Sequence, residues 1–468
     1  MPSECYPSGH TTTPRWPRRA GMAAVAASLA LLTGAGGGPL PAGGAPRSSP
    51  ALQAPVTTQE EPNLYRTTLP SGLVVVTREQ PTAEVAALSV FVRGGSRAED
   101  PATVGAAHFM EHLFFQGTPR RPSSAAIDAP ITERGGWLNA TTSWEGIDFF
   151  ATVPNSAFDV ALDVIADILV NSLFAPDAVE KERQVVIEEL NRILNNPLAY
   201  AFEVYAKTVF AGHPASQLPA GDRATVRRVT RDTLLQYRER FFRASNLVVA
   251  VVGNLRHEEV EAKVAAAFAA MPTGEPPAWT PAPRPPAQQR TERVSVGARQ
   301  AQLILGWPTV GFDSPDRYAL TVLAAALGAG GQRLAGELRD RLGLVTRVDA
   351  SYWELTDIGT WLITAGAEPG KVDAAVDALL AEIRRVRDEP LSASDLADAQ
   401  AYVRGSTRRA QERAVDQARD LAEGIALGYY QPLDTYLAHI AAVTAADVQR
   451  VARTYLDPEQ YTLVVVGP

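Results

Sequence analysis

The chain has 468 residues, of which 46% are hydrophobic and 21% are charged, and its formal net charge is −8. This composition is that of a globular protein large enough for several cores, and it excludes the disordered and fibrous classes. An acidic chain without clusters of Lys and Arg also argues against a nucleic-acid partner.

Residues 1–45 have the order of a secretory signal peptide. Arg15, Arg18 and Arg19 precede an apolar run rich in Ala and Leu, and small residues follow it. We expect export to a periplasm or the cell exterior and no membrane span in the mature chain, with a retained anchor as the alternative. The only cysteine, Cys5, precedes the run, so the mature chain would have neither a disulfide nor a Cys-ligated metal.

Two segments rich in Pro and small residues predict the domain boundaries. Residues 46–61 are expected to form a flexible linker, and residues 272–290, PTGEPPAWTPAPRPPAQQR, an extended one. The predicted domains are therefore residues 62–271 and residues 291–468.

Within each half, predicted strands come before predicted helices. In the first half, residues 72–79 (GLVVVTRE) and 84–95 (EVAALSVFVRGG) are typical of strands. Residues 157–171 and, in the second half, 371–389 have the apolar spacing of amphipathic helices. This order predicts an α+β fold, in which helices pack on an antiparallel or mixed sheet in each of two similar domains.

The two halves also end alike. Residues 229–253 and 443–467 align without a gap, from an opening Val to the Gly that follows a run of Val. Thr230 and Thr444 are predicted N-caps, and each precedes a helix and then a strand. The match indicates an internal duplication.

The motif HFMEH carries the chemistry of the first half. A spacing of four places His108 and His112 on one helical face, so both imidazoles can reach one ion. Zinc accepts such ligands, and Glu111 could act as general base for a catalytic water. The alternative is a pair of histidines on a partly buried helix, each bonded to backbone; the inverted HxxEH pattern favours the metal site.

A third protein ligand is required for a catalytic zinc site. The segment EKERQVVIEEL offers Glu182, Glu188 and Glu189. Glu182 and Glu189 share a helical face, whereas Glu188 points about 100° away from Glu189. Spacing alone does not choose among the three.

These residues resemble the pitrilysin-type zinc metallopeptidases, the family of insulin-degrading enzyme and mitochondrial processing peptidase. The resemblance rests on HFMEH and on the later ERxVxxxE pattern of residues 182–189. It implies Glu189 as the third zinc ligand, Glu182 as an acid that supports the site, and Glu111 as the general base. It covers most of residues 62–468 and implies two α+β domains that form half of a clamshell chamber.

The resemblance extends to two substrate-binding segments. In GGWLNATTSWEGIDFF, it implies that Asn139 and Ala140 lie on an edge strand that holds an extended substrate by β-augmentation; an ordinary edge strand is the alternative. In the second half, Arg339 matches an arginine that helps hold substrate. The family's tyrosine seven positions later is replaced by Thr346. Either a companion subunit supplies the Arg/Tyr pair, or Thr346 suffices, or Tyr352 substitutes.

The predicted function is that of an exported zinc endopeptidase, with one zinc ion per chain, that cleaves peptides or unfolded protein segments. The short two-domain length resembles members that work as dimers, so a homodimer or a heterodimer with an Arg/Tyr-bearing companion is expected. The alternative is a non-catalytic binding or assembly subunit of the same family, although such subunits typically have an eroded metal motif. A structural zinc is disfavoured because such sites usually have four protein ligands.

Overall fold

The computed structural model describes residues 55–275, 277–278 and 281–468. The predicted signal peptide and residues 46–54 of the predicted first linker lie outside these described residues. Within them, no helix is both long enough and apolar enough to cross a bilayer.

Twelve strands in the described residues form two sheets, one in each half. The seven-stranded sheet contains β1 (Val56–Glu61), β2 (Leu64–Thr68), β3 (Val74–Glu79), β4 (Val85–Arg93), β5 (Trp137–Thr142), β6 (Gly146–Pro154) and β7 (Leu247–Gly253). The five-stranded sheet contains β8 (Arg290–Ser295), β9 (Ala301–Thr309), β10 (Arg347–Glu354), β11 (Gly359–Ala367) and β12 (Thr462–Gly467).

Fourteen α-helices in the described residues pack on these sheets. The first half contributes α1 (Ala106–Phe114), α2 (Ser124–Thr132), α3 (Phe158–Asn171), α4 (Pro176–Leu194), α5 (Pro197–Val209), α6 (Arg223–Arg228), α7 (Arg231–Phe241) and α8 (His257–Ala267). The second half contributes α9 (Asp316–Leu327), α10 (Val372–Asp388), α11 (Ala393–Ala410), α12 (Ala414–Leu427), α13 (Leu433–Ala442) and α14 (Ala445–Tyr455). A π-helical segment covers Ala335–Arg341.

The two sheets share one strand order. The first runs β1-β2-β3-β7-β4-β6-β5, and the second, read from its β8 edge, runs β8-β12-β9-β11-β10. In each, one parallel pair, β3 with β7 or β8 with β12, adjoins antiparallel pairs. Thr230 and Thr444 cap α7 and α14 by accepting a backbone N–H three residues on. The α+β fold with two similar mixed sheets is confirmed.

The first sheet has two additional strands, and one of them corrects a prediction. Residues 56–61, expected to be part of a flexible linker, form β1, which pairs with β2 in an antiparallel hairpin. The hairpin turns at Asn63, whose φ of 62° suits the short polar side chain of Asn. Strand β1 is exposed along most of its length, so no apolar alternation marks it in the sequence.

Each half has its own core on one face of its sheet, and each half covers the opposite face of the other sheet. Helix α5 packs through Ala201 and Tyr205 against Ile304 and Val464 of the second sheet. The Tyr205 hydroxyl also bonds the Thr360 hydroxyl at 2.6 Å.

The reciprocal contact is made by α12 of the second half. Its buried residues Ala418 and Leu421 pack on Phe91, Phe150 and Val248 of the first sheet. The two halves are therefore joined by an exchange of helices as well as by the linker.

Candidate metal centre

Helix α1 presents two different faces. Phe109, Met110 and Leu113 are buried in the core of the first half. His108 and His112 point the other way, with their ring centroids 4.9 Å apart. The four-residue spacing that the motif requires is thus realised on one helical face.

Helix α4 brings two glutamates to these histidines. The Glu189 Oε2 atom lies 3.5 Å from Nε2 of His108 and 3.5 Å from Nε2 of His112. The Glu182 Oε2 atom lies 3.2 Å from the other ring nitrogen of His112, Nδ1. Glu188 is exposed, and its carboxylate accepts a hydrogen bond from Asn191 instead. The structure therefore brings Glu182 and Glu189 to the histidines and leaves Glu188 in solvent.

The three converging atoms fit a zinc ion. Ligand atoms of His108, His112 and Glu189 all lie within 4.8 Å of one another. A tetrahedral zinc ion with ligands at roughly 2.0–2.2 Å would separate its ligand atoms by about 3.4 Å, close to the two separations of 3.5 Å. Within the described ranges, this group consists of three side chains, which is the number used by catalytic zinc sites that keep a fourth position open.

The electrostatics of the site also suit a cation. Burial and the neighbouring His112 lower the pKa of His108 to about 4, so its imidazole is neutral at pH 7, as a metal ligand must be. Burial acts to lower the pKa of His112, but Glu182, Glu189 and Glu111 raise it to about 10. Burial acts to raise the pKa of Glu189, yet the two histidines bring it below its ordinary value. Three carboxylates therefore favour positive charge at this point.

Glu111 lies beside the three candidate metal ligands but is not one of them. Its Oε2 atom accepts a hydrogen bond of 2.5 Å from the Thr142 hydroxyl. Burial raises the pKa of Glu111, and His112 and Thr142 oppose this rise only in part. A raised pKa strengthens a carboxylate as a proton acceptor, which suits a general base.

Thr142 belongs to β5, the strand at the edge of the first sheet. Along this strand Asn139 is exposed and Ala140 is buried, and the edge away from β6 has no partner strand among the described residues. Thr142 was not singled out from the sequence. Side chains alternate along a strand, so Thr142 lies on the same face as Ala140, two residues earlier. This spacing was the signal that the sequence offered for Thr142.

The second-half residues lie apart from the metal centre. Arg339 is in the exposed π-helical segment and pairs with the adjacent Asp340; in the described structure no hydrogen bond or ion pair joins it to the metal-centre residues. Thr346 is exposed and donates to the Gly366 carbonyl. The Tyr352 hydroxyl donates to the Val310 carbonyl at 2.7 Å, so this tyrosine already has an intramolecular partner.

Comparison with known proteins identifies the family. Residues 74–221 match the family described as "Insulinase (Peptidase family M16)", and residues 228–403 match the "Peptidase M16 inactive domain". An uncharacterized zinc protease of Streptomyces coelicolor is 32% identical over 411 residues, which cover 86% of this chain and 89% of that protein. The chain belongs to peptidase family M16.

Two further proteins extend the likeness. A probable mitochondrial-processing peptidase subunit beta of Arabidopsis thaliana is 29% identical over 420 residues, covering 87% of this chain and 79% of that protein. A protease structure from Helicobacter pylori superimposes with a TM-score of 0.80 at 24% identity, covering 88% of this chain and all of that one. Membership of a family of zinc peptidases, expected from the motif, is therefore confirmed.

Proposed function

We propose that this chain is a zinc-dependent endopeptidase that hydrolyses peptides or unfolded protein segments. The observation that carries the proposal is the convergence of His108, His112 and Glu189, with Glu111 half-buried alongside them. Zinc bound there would supply a Lewis acid that polarises the scissile carbonyl and activates the attacking water.

The side chains of this chain have distinct roles in the proposed reaction. His108, His112 and Glu189 would hold the ion, and Glu182 would orient His112 through Nδ1. The Glu111 carboxylate would accept a proton from the attacking water and pass it to the leaving amine. The Thr142 hydroxyl, bonded to Oε2 of Glu111, leaves the other carboxylate oxygen for that transfer.

Substrate would be held in extended form along β5. The edge of this strand, which has no partner within the described ranges, offers backbone N–H and C=O groups, and the Thr142 hydroxyl of the same strand donates to Glu111. Main-chain pairing gives affinity with little dependence on side chains, which favours extended or unfolded substrates. Asn139, exposed on this strand, is a proposed contact.

The test compares zinc content and hydrolysis of a quenched peptide in wild type, Glu111→Gln and Glu189→Ala. We expect Glu111→Gln to keep about one zinc per chain while losing roughly 10²–10⁴-fold in kcat, as for loss of a general base. Glu189→Ala should lose zinc and activity together. A wild type that binds no zinc, or a Glu111→Gln variant with full activity, would overturn the proposal. Wild type with zinc but without hydrolysis would instead favour the non-catalytic subunit.

We also propose that the chain is exported and acts as a dimer, either with itself or with a companion that bears an Arg/Tyr pair. The absence of tyrosine at Thr346 supports the companion. If no companion is needed, Thr346→Tyr should raise peptide turnover of the purified homomer. An unchanged turnover, together with activation by a partner protein, would support the heterodimer.

A further inference from the structure

A buried carboxylate from outside helix α1 holds the first turn of that helix. Glu99 lies six residues before the N-cap Gly105, and it is 7% exposed. Its Oε2 atom accepts the backbone N–H of Gly105 at 2.8 Å, and its Oε1 atom accepts that of Ala107 at 2.5 Å. These are N–H groups that a helix leaves without an internal partner at its start.

Helix α1 has no other side chain to serve as its cap. Gly105 has no side chain, and its φ of 97° is one that residues with a Cβ rarely adopt. A Ser or Asp at the N-cap is the usual solution, whereas here a side chain from outside the helix provides both acceptor oxygens. Because Glu99 lies six residues before the N-cap, its hydrogen bonds hold both the start of α1 and the loop that leads into it.

The segment that carries Glu99 is itself held firmly. Gly95 N–H donates to the Tyr237 hydroxyl at 3.0 Å, and the Ser96 hydroxyl donates to the Gln217 carbonyl at 2.7 Å. A Cβ at Gly95 would lie 2.5 Å from the Ser143 carbonyl oxygen, so the backbone passes close to the β5–β6 turn.

The next residue in this segment reaches the second half. The Arg97 guanidinium donates to Glu145 at 2.8 Å and to Asp357 of the second half at 2.6 Å. All three side chains are at most 7% exposed. The loop that carries Glu99 is thus bonded to both halves of the chain.

We propose that Glu99 is a positioning residue, which sets the first turn of α1 and through it the place of His108 in the metal centre. Ala107, whose N–H bonds Glu99, immediately precedes His108 in the chain. In the part of the chain that the structure describes, no hydrogen bond or ion pair joins Glu99 to the metal-ligand atoms or to β5, so we place its effect in the helix. This proposal rests on the metal site of the proposed function but not on peptide hydrolysis.

The test measures zinc affinity by competition with a chromogenic chelator, and amide hydrogen exchange of α1 in the metal-free full chain. Loss of a helix cap changes an equilibrium constant by about tenfold. We therefore expect Glu99→Ala to weaken zinc binding about tenfold, and to speed exchange at Gly105 and Ala107 by a similar factor. Glu99→Gln, which keeps the shape and one acceptor oxygen, should fall between wild type and Glu99→Ala.

Thr444→Ala is the matched control, because it removes the cap of α14, a helix of the second half. It should lower thermal stability and leave both zinc affinity and α1 exchange unchanged. If Glu99→Ala does not fold, zinc affinity and α1 exchange are compared between wild type and Glu99→Gln only. Unchanged zinc affinity in a folded Glu99 variant would overturn the proposal even if α1 exchange became faster, because faster exchange alone shows only the loss of a helix cap. Because neither measurement uses a peptide, an inactive wild type would count against the proposed function and not against this role of Glu99.

Discussion

Replacing Glu182 by glutamine should weaken zinc binding without unfolding the chain. The Glu182 side chain is 6% exposed, and its Oε2 atom lies 3.2 Å from Nδ1 of His112. Loss of an outer partner of a metal-binding histidine costs about 10–100-fold in metal affinity, or roughly 1.4–2.8 kcal/mol. Glutamine keeps an oxygen acceptor and loses the charge, so we expect about tenfold for Glu182→Gln and a larger loss for Glu182→Ala.

The assay is a zinc competition titration on the purified chain, with circular dichroism to verify folding. Glu188→Gln is the matched control, since Glu188 lies on the same helix, is exposed and accepts a hydrogen bond from Asn191. It should bind zinc like wild type. The reasoning would be refuted if Glu182→Gln and Glu188→Gln bound zinc equally well while Glu189→Ala did not bind it.

Three further predictions concern the join between the halves, each measured by urea unfolding. Leu421→Ala removes a buried side chain of α12 that packs on the first sheet, and it should lower the free energy of unfolding by about 2–5 kcal/mol. Circular dichroism and zinc release should follow one transition. Zinc that stays bound after α12 has unfolded would contradict this prediction. Tyr205→Phe should lower the free energy of unfolding by only about 1 kcal/mol, because the Thr360 hydroxyl keeps a backbone carbonyl partner. A loss as large as that of Leu421→Ala would contradict this prediction. Asp357→Asn removes one of the two carboxylates that pair with the buried Arg97, and because Glu145 still pairs with this guanidinium, the change should cost about 1.5–3 kcal/mol. Asp373→Asn, the same change in the exposed ion pair with Arg293, is the control and should cost no measurable free energy of unfolding; equal losses in the two variants would contradict this prediction.

The elements with strong periodicity could be predicted from the sequence. The amphipathic segments at 157–171 and 371–389 form α3 and α10, and the valine runs of the two halves form β7 and β12. These predictions succeeded because apolar spacing reports directly which face of an element is buried. The metal-centre geometry places the predicted glutamates Glu182 and Glu189 at the two histidines.

The sequence could not show which sheet the buried face of a given helix packs against. The apolar stripe of α12, which includes Leu421, predicts a buried face, but nothing in it says that the partner is the sheet of the other half. Glu99 was missed for a related reason. Its hydrogen bonds reach α1 across a loop, outside the local Ser/Thr/Asp patterns that mark a cap. Contacts between segments distant in sequence leave no periodic signal.

The exchange of α5 and α12 bears on why the first half needs the second. The second half lacks the HxxEH motif, and from the chemistry alone it could have been lost. However, its helix α12 covers Phe91, Phe150 and Val248 of the metal-bearing half, so a deletion would expose an apolar sheet face to water. The first half therefore depends on the second for its stability, although the second half has no HxxEH motif of its own.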